Sequence, residues 1–146
     1  MKKILKFTVI SAFLLMLAGI KVSCNDKDTY PLEDTSWKLA GVVDVETGSL
    51  TVLEPKDCRQ CFTIRFGRNS TFTGHSSIND LSGTYEIDHK KKTFHFVTIG
   101  GTRINETGDG DLFMAALWLV QSFSLQENTL RLYYSDKQNY LLFNQQ

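Results

Sequence analysis

From residue 36 onward, short apolar runs are separated by polar or glycine-containing turns. The clearest run is residues 61–66, in which Phe62, Ile64 and Phe66 alternate with polar residues. An alternation of two is the period of a strand with one buried face. The same pattern predicts further strands at residues 36–45, 50–53, 71–74, 83–88, 93–99, 123–126, 130–135 and 140–144. This series predicts a mainly β fold with one α-helix, an antiparallel meander closing into a small barrel or a strongly curved sheet, because closure removes exposed edges.

One segment between these runs predicts the helix. Residues 112–123 contain no Gly or Pro and are rich in Met, Ala and Leu, which favour a helix over a strand. We expect Asp111 to cap the helix N-terminus through its carboxylate. We expect the helix to be deeply buried. The face that packs against the sheet would consist of Leu112, Ala115, Ala116, Leu119 and Val120. A core fully packed by Phe62, Phe66, Phe94, Trp118 and Phe143 would leave no cavity for a ligand.

The N-terminus has the pattern of a secretory signal peptide. Three lysines precede the apolar run of residues 7–20, which is shorter than the roughly 20 residues that span a bilayer as a helix. The stretch "LAGIKVSC" resembles a bacterial lipoprotein signal, with small Ser23 directly before Cys24. It departs from the strict pattern at Lys21, where Leu is usual. We therefore expect a signal peptide at residues 1–23 and a lipid on Cys24.

The remaining chain predicts one tethered domain. Residues 24–33 are polar and would form a lipidated tether, and residues 34–146 are enough for a single core. The signal contains four of the 16 basic residues and no acidic ones, so 12 basic and 16 acidic residues leave a charge of −4. Nucleic-acid binding is not expected without a clustered cationic surface. We expect an exported monomer attached by its lipid to the cell envelope, at the outer membrane of a Gram-negative bacterium.

The three cysteines are an odd number for an exported protein. If Cys24 receives a lipid, Cys58 and Cys61 remain as a C-x-x-C pair in an oxidising compartment. A redox pair is disfavoured because Cys61 enters a strand and not a helix N-terminus. A zinc site would need two further ligands, and no second C-x-x-C exists. We therefore predict a local disulfide between Cys58 and Cys61.

Few residues suggest catalysis or metal binding. The chain lacks a G-x-S-x-G motif, and His75 with Asp80 in the polar "GHSSIND" segment is the single acid–base candidate. Asp109 and Asp111 lie in the "ETGDGD" stretch, which has neither the full pattern of a calcium loop nor its closing Glu. We predict no catalytic residue, no metal and no cofactor.

The order of features resembles the META/HslJ-like domain, a small β-rich domain common in bacterial envelope lipoproteins. The matching positions are Trp37-Lys38-Leu39, Phe66, Phe72-x-Gly74, Asn79, Gly83-x-Tyr85, Phe123-x-Leu125, Leu130-x-Leu132 and Leu142-Phe143. Two departures concern cysteines. The family often has Gly-Cys-Asn where this chain has Ser77-Ile78-Asn79, and Thr-Met-Ala-Cys where this chain has Thr102-Arg-Ile-Asn.

The resemblance implies an envelope role in stress tolerance or surface interaction, without a known reaction. We therefore expect a non-enzymatic, lipid-anchored protein that binds an unidentified protein, peptide or small ligand. A lipocalin-like carrier of a small apolar ligand is the alternative within the binding class. A hydrolytic enzyme that uses His75 and Asp80 is the alternative from a different class.

Overall fold

The computed structural model describes residues 32–146, so the predicted signal peptide and Cys24 lie outside the described residues. Of the predicted tether, the described part is Leu32 and Glu33, and Leu32 is buried in the core. No helix within residues 32–146 is long and apolar enough to cross a bilayer. The elements are β1 (Thr35–Asp44), β2 (Leu50–Thr51), β3 (Thr63–Phe66), β4 (Thr71–His75), β5 (Asp80–Asp88), β6 (Thr93–Gly101), α1 (Gly110–Trp118), β7 (Ser122–Gln126), β8 (Thr129–Tyr134) and β9 (Asn139–Gln145).

The strands form one antiparallel sheet that closes into a ring. Neighbours follow chain order from β3 to β9, and β1 lies between the two ends of that series. Thr35 to Lys38 of β1 pair with β3, while the opposite edge of β1 pairs along its length with β9. The short strand β2 pairs with the distal part of β1. The mainly β, antiparallel prediction is confirmed, and ring closure gives β1 partners on both edges.

Aromatic side chains fill the interior of the ring. Phe66 and Phe94 are fully buried, and their ring centroids are 5.9 Å apart in an edge-to-face arrangement. Tyr85 stacks on Phe94 at 5.3 Å. The predicted face of β3 is confirmed, since Ile64 and Phe66 are buried and Arg65 is exposed. Because side chains occupy the interior, the packing counts against a lipocalin-like carrier.

The helix differs from its prediction in its bounds and in its buried face. It begins at Gly110, with Asp109 and not Asp111 at the N-cap, and no side chain caps it. It ends at Trp118, so Phe123 belongs to β7. The buried side chains of the helix are Phe113, Ala116 and Leu117, and Val120, two residues beyond its end, continues this face. This face also has helical spacing, so periodicity alone could not choose between it and the predicted one.

The expected deep burial of the helix is wrong at Trp118. Its side chain is 52 % exposed, as is that of Leu119, whereas Phe62 and Phe143 are buried. The helix is nearly apolar all round in sequence, and this composition suggested complete burial. The sheet contacts α1 on one face only, so the opposite face of an apolar helix lies in solvent.

Strands β6 and β7 separate almost completely, which is the weakest point of the ring. They pair at Thr93 and Ser122 alone, through bonds of 3.2 Å from Phe94 N to the carbonyl oxygen of Gln121 and from Phe123 N to that of Lys92. The helix contacts β6 and leads directly into β7. Beyond Phe123, therefore, no strand of the described chain covers the edge of β7.

Candidate functional site

His75 and Asp80, the predicted acid–base candidates, lie opposite each other on β4 and β5. His75 Nε2 is 3.9 Å from Asp80 Oδ1, and the Asp80 side chain is 82 % exposed. His75 Nδ1 is 2.9 Å from the carbonyl oxygen of Ser76. A pair at this separation with one exposed partner is a weak cross-strand ion pair when the histidine is protonated. The structure therefore brings the two residues together without enclosing them.

An open groove of about 600 Å³ passes this pair. Arg59 and Arg65 line it together with His75 and Asp80. Both arginines are exposed, so the groove is open to solvent where they lie. No cluster of three or more His, Cys, Asp or Glu side chains that could hold a metal ion occurs within residues 32–146.

The segment after His75 is held by a carboxylate that sequence reasoning missed. Glu106 accepts hydrogen bonds from Ser76 Oγ at 2.6 Å, from Ser77 Oγ at 2.6 Å and from Asn79 Nδ2 at 2.8 Å. Ser76, Ser77 and Asn79 are all buried. We call these four residues the Glu106 clamp. It joins the β4–β5 connection to the loop between β6 and α1.

Asn79 extends the clamp along that loop. Its Nδ2 also donates to the carbonyl oxygen of Ile104 at 2.7 Å. Its Oδ1 accepts from Ile104 N at 2.7 Å and from Thr102 Oγ1 at 3.0 Å. Both ends of the amide are thus satisfied by one neighbouring loop, as buried polar groups require. The "GHSSIND" segment is therefore a fixed structural connection.

The clamp keeps Glu106 ionised. Partial desolvation acts to raise the pKa of Glu106, but the hydrogen bonds donated by Ser76, Ser77 and Asn79 stabilise the carboxylate and lower its pKa below the ordinary value of 4.5. A carboxylate held in its charged form by three donors is a poor general acid at neutral pH. The role of Glu106 is therefore structural.

Gly110 makes room for the clamp at the start of α1. A β-carbon at this position would lie 2.2 Å from Glu106 Oε2 and 2.4 Å from Ser77 Oγ. Real side chains do not approach so closely, so any substitution would displace the clamp. The "ETGDGD" stretch, considered above as a calcium loop, therefore contributes Glu106 to the clamp and, at Gly110, the space that the clamp needs.

The C-x-x-C pair is a disulfide, as predicted. Cys58 and Cys61 are joined with an S–S distance of 2.01 Å. Lys38 Nζ, on β1, donates to the carbonyl oxygen of Cys58 at 2.8 Å and to that of Cys61. Burial lowers the pKa of Lys38. Cys61 Sγ also lies 3.1 Å from the carbonyl oxygen of Ser77, so the disulfide loop contacts the Glu106 clamp.

A second groove, of about 780 Å³, follows the uncovered edge of β7. Phe123 N points away from β8, because it donates to the carbonyl oxygen of Lys92. The N–H and C=O of Leu125, two residues further on, point the same way. Neither group has a hydrogen-bond partner among the described residues. Leu125 therefore presents an unpaired donor and acceptor to the groove.

The groove combines apolar and charged walls. Phe123 and Leu125 line it on one side, and Lys92 and Glu127 provide opposite charges. Lys92 Nζ lies 5.7 Å from the centre of the Phe123 ring and forms no ion pair with any described residue. The arrangement suits an extended chain, which needs backbone partners and one position for an acidic group.

Sequence alone gave no indication of this edge. The strand at residues 123–126 was predicted correctly, but its pairing with β8 and its separation from β6 depend on how the ring closes.

The comparisons with known proteins agree with this architecture. The family model described as "META domain" matches residues 30–146. The chain belongs to the META domain family. A relative from Tannerella forsythia named "Putative lipoprotein" is 32 % identical over 142 residues, covering 92 % of this chain and 91 % of the relative.

Two solved structures of low sequence identity share the META-domain fold of this chain. A protein from Burkholderia xenovorans, solved by NMR, has a TM-score of 0.63 at 22 % identity and covers 79 % of this chain and 83 % of its own. A DUF4847 family protein from Bacteroides vulgatus has a TM-score of 0.60 at 19 % identity, with 77 % and 93 % covered.

The Glu106 clamp lies where the family resemblance places a cysteine pair. The two positions correspond to Ile78 and Asn105 of this chain, on the β4–β5 connection and on the loop before α1. In this META domain the adjacent Ser77 and Glu106 are hydrogen-bonded at 2.6 Å. The same two loops are therefore joined by a carboxylate and its donors.

Proposed function

We propose that this chain is a non-enzymatic, lipid-anchored envelope protein whose META domain binds an extended peptide along the edge of β7. The observation that supports the binding mode most strongly is Leu125, whose N–H and C=O lack partners among the described residues. A peptide strand can satisfy both groups and lengthen the sheet by one strand, as in other cases of β-augmentation. The open groove beside the edge provides the space.

The proposed peptide is short and acidic at one position. The unpaired edge runs from the carbonyl oxygen of Phe123 to Leu125, so only about three residues of a partner can pair with it. Lys92, at one end of this edge, has no ion-pair partner among the described residues. An Asp, a Glu or a C-terminal carboxylate of the peptide would supply the opposite charge.

The binding mode can be tested with an array of acetylated pentapeptides, Thr-Xaa-Val-Zaa-Thr, in which the two variable positions take every standard amino acid. The full mature chain carrying Cys24→Ser serves as the soluble probe. We expect binding to concentrate in peptides with Asp or Glu at one variable position. Methylating the backbone nitrogen of the peptide's Val should abolish binding, because it removes the donor to Leu125.

Two matched variants separate backbone recognition from side-chain packing. Leu125→Pro removes the N–H that faces the groove while leaving the bonds to β8 intact, and proline is tolerated on such an edge. Leu125→Ala removes similar packing but keeps the N–H. We expect the proline variant to lose binding and the alanine variant to retain it. Equal binding by both variants, or an array without any acidic preference, would refute the binding mode.

The anchor is a separate part of the proposal. Its support is the signal sequence, Ser23-Cys24, and the relative whose name describes a lipoprotein and whose match covers 92 % of this chain. Placement in the outer membrane of a Gram-negative bacterium belongs to the same proposal. Cells labelled with radioactive palmitate should yield a labelled wild-type protein and an unlabelled Cys24→Ser protein. An unlabelled wild-type protein would refute the attachment of a lipid to Cys24.

A further inference from the structure

The solvent-facing side of α1 is apolar. Leu112, Trp118 and Leu119 are each about half exposed, and Ala115 between them is exposed as well. The one charged residue of the helix is Asp111, in its first turn. A surface of this kind on a small domain usually marks a contact with another apolar surface. Tryptophan in particular favours the boundary between water and lipid.

This apolar surface leads directly to a cluster of lysines. His95 Nδ1 is 3.2 Å from the carbonyl oxygen of Val120, and Phe94 pairs with Gln121. The end of α1 therefore lies beside the start of β6. The turn just before β6 contains exposed Lys90, Lys91 and Lys92.

The lysine turn retains a net positive charge. Asp88 is the acidic side chain that contacts it, at 3.9 Å from Lys91 Nζ, and its carboxylate also accepts from the backbone of the turn. Lys92 lines the β7 groove together with Glu127, so Lys90 and Lys91 against the one carboxylate of Asp88 leave an excess of one positive charge. Such an excess beside an apolar surface suits anionic phospholipid headgroups.

The same end of the ring also holds the start of the described chain. Thr35, at the beginning of β1, pairs with Phe66, and Asp34 forms an ion pair with Arg68 at 3.2 Å. The β3–β4 turn that contains Arg68 also bonds to β5, through Tyr85 N and the carbonyl oxygen of Ser70. The lysine turn at residues 89–92 continues from β5 at this end.

A lipid on Cys24 would therefore hold this end of the domain close to a bilayer. Cys24 precedes Leu32 by eight residues, which span at most about 28 Å when fully extended. The helix end and the lysine turn lie at the same end as Leu32. A membrane surface within that distance of Leu32 can contact the helix end and the lysine turn at the same time.

We propose that Trp118, Leu119 and the lysine turn form a membrane-docking face, with anionic phospholipid as its partner. The proposal rests on the proposed lipid anchor for its biological setting, but the face itself needs no acyl chain to be measured. Docking would fix the orientation of the domain on the bilayer. It would leave the Glu106 clamp and the disulfide loop, at the opposite end of β4 and β5, directed away from the membrane.

The test uses the full mature chain with Cys24→Ser and vesicles of phosphatidylglycerol and phosphatidylethanolamine whose acyl chains are brominated near the headgroups. The chain contains two tryptophans, and Trp37 is only 1 % exposed. We expect vesicles to shift Trp118 emission to the blue and to quench it. A Trp118→Phe chain, in which only Trp37 emits, should show neither effect.

Matched variants assign the effect to the face. Leu119→Ser should weaken partitioning about fivefold, whereas Leu50→Ser, at a residue with similar exposure (49 %) on β2, should leave it unchanged. Replacing Lys90 and Lys91 by Gln should weaken it by about fivefold for each lysine removed. Pure phosphatidylcholine vesicles should bind more weakly than anionic ones.

Two results would overturn the proposal. One is unquenched Trp118 emission with anionic vesicles. The other is a dimer in light scattering that Leu119→Ser dissociates, since the face would then bind a second copy of the chain. Neither result bears on palmitate labelling of Cys24, so the failure of docking and the failure of the anchor are separately visible.

Discussion

Glu106 shows how a single carboxylate can fix two loops in a ring of strands. Its partners Ser76, Ser77 and Asn79 lie on a different connection, and all three donate to it. Hydrogen bonds to a charged acceptor contribute about 1.5–3 kcal/mol each when removal leaves buried donors unsatisfied. The clamp is therefore a large contribution from one residue.

Replacing Glu106 by Gln should destabilise the domain by about 2 kcal/mol at pH 7, because an amide offers one acceptor oxygen to three donors. The pKa of Glu106 is lowered in the folded state. The stabilisation of the fold by its carboxylate is therefore complete above the ordinary pKa of 4.5, and it is lost as the pH falls through the folded pKa. Urea unfolding at neutral and acid pH measures this. The difference between wild type and variant should shrink in acid; a difference independent of pH would contradict the account.

Gly110 offers a test of the same contact by steric means. Gly110→Ala should cost about 2 kcal/mol, since its β-carbon would displace Glu106 and Ser77. Gly100→Ala is the matched control, because the nearest atom to its β-carbon is the carbonyl oxygen of Ser82 at 3.9 Å. Thermal unfolding of the two variants compares them. Equal melting temperatures would show that the clamp adapts without cost.

At the scale of elements, the disulfide loop is closed on itself by a covalent bond and joined to β1 by hydrogen bonds. The covalent bond links Cys58 and Cys61, and Lys38 donates the pair of hydrogen bonds. A bridge between residues three apart in sequence closes a very small loop, so its effect on the unfolded chain is at the low end of the usual range.

Replacing both Cys58 and Cys61 by Ser should therefore cost about 2 kcal/mol and leave the fold intact. Lys38 would continue to hold the loop carbonyl groups in place. Urea unfolding measures the stability, and a count of reactive thiols in denatured mature protein checks the bridge. Two titratable thiols from Cys58 and Cys61 after isolation under oxidising conditions would show that the bridge does not form.

At the scale of the whole molecule, local sequence patterns predicted the strands. The Glu106 clamp instead depends on contacts between residues that are distant in sequence. The alternation of Phe62, Ile64 and Phe66 placed one strand face in the core, because that signal is contained within a few residues. Glu106 and Ser76 are 30 residues apart in sequence, and no local pattern relates them. Trp118 was misplaced because an apolar side chain can also face solvent when only one side of its helix meets the sheet.

The uncovered edge of β7 likewise depends on contacts between residues that are distant in sequence. The strand itself was predictable, whereas its missing partner follows from the separation of β6 and β7 in the closed ring. Residues that close a ring are distant in sequence, so an uncovered edge is a property of the assembled sheet. This is why the proposed binding site could not be read from residues 122–126 alone.

The most direct test of peptide binding at β7 is the backbone amide of Leu125, followed by NMR in the full mature chain with Cys24→Ser. On titration with the strongest array peptide, we predict that the Leu125 amide shifts and becomes protected from hydrogen exchange. The amide of Ser124, which faces β8, should stay protected throughout. A Leu125 amide that keeps its shift and its exchange rate when the peptide is saturating would contradict the account.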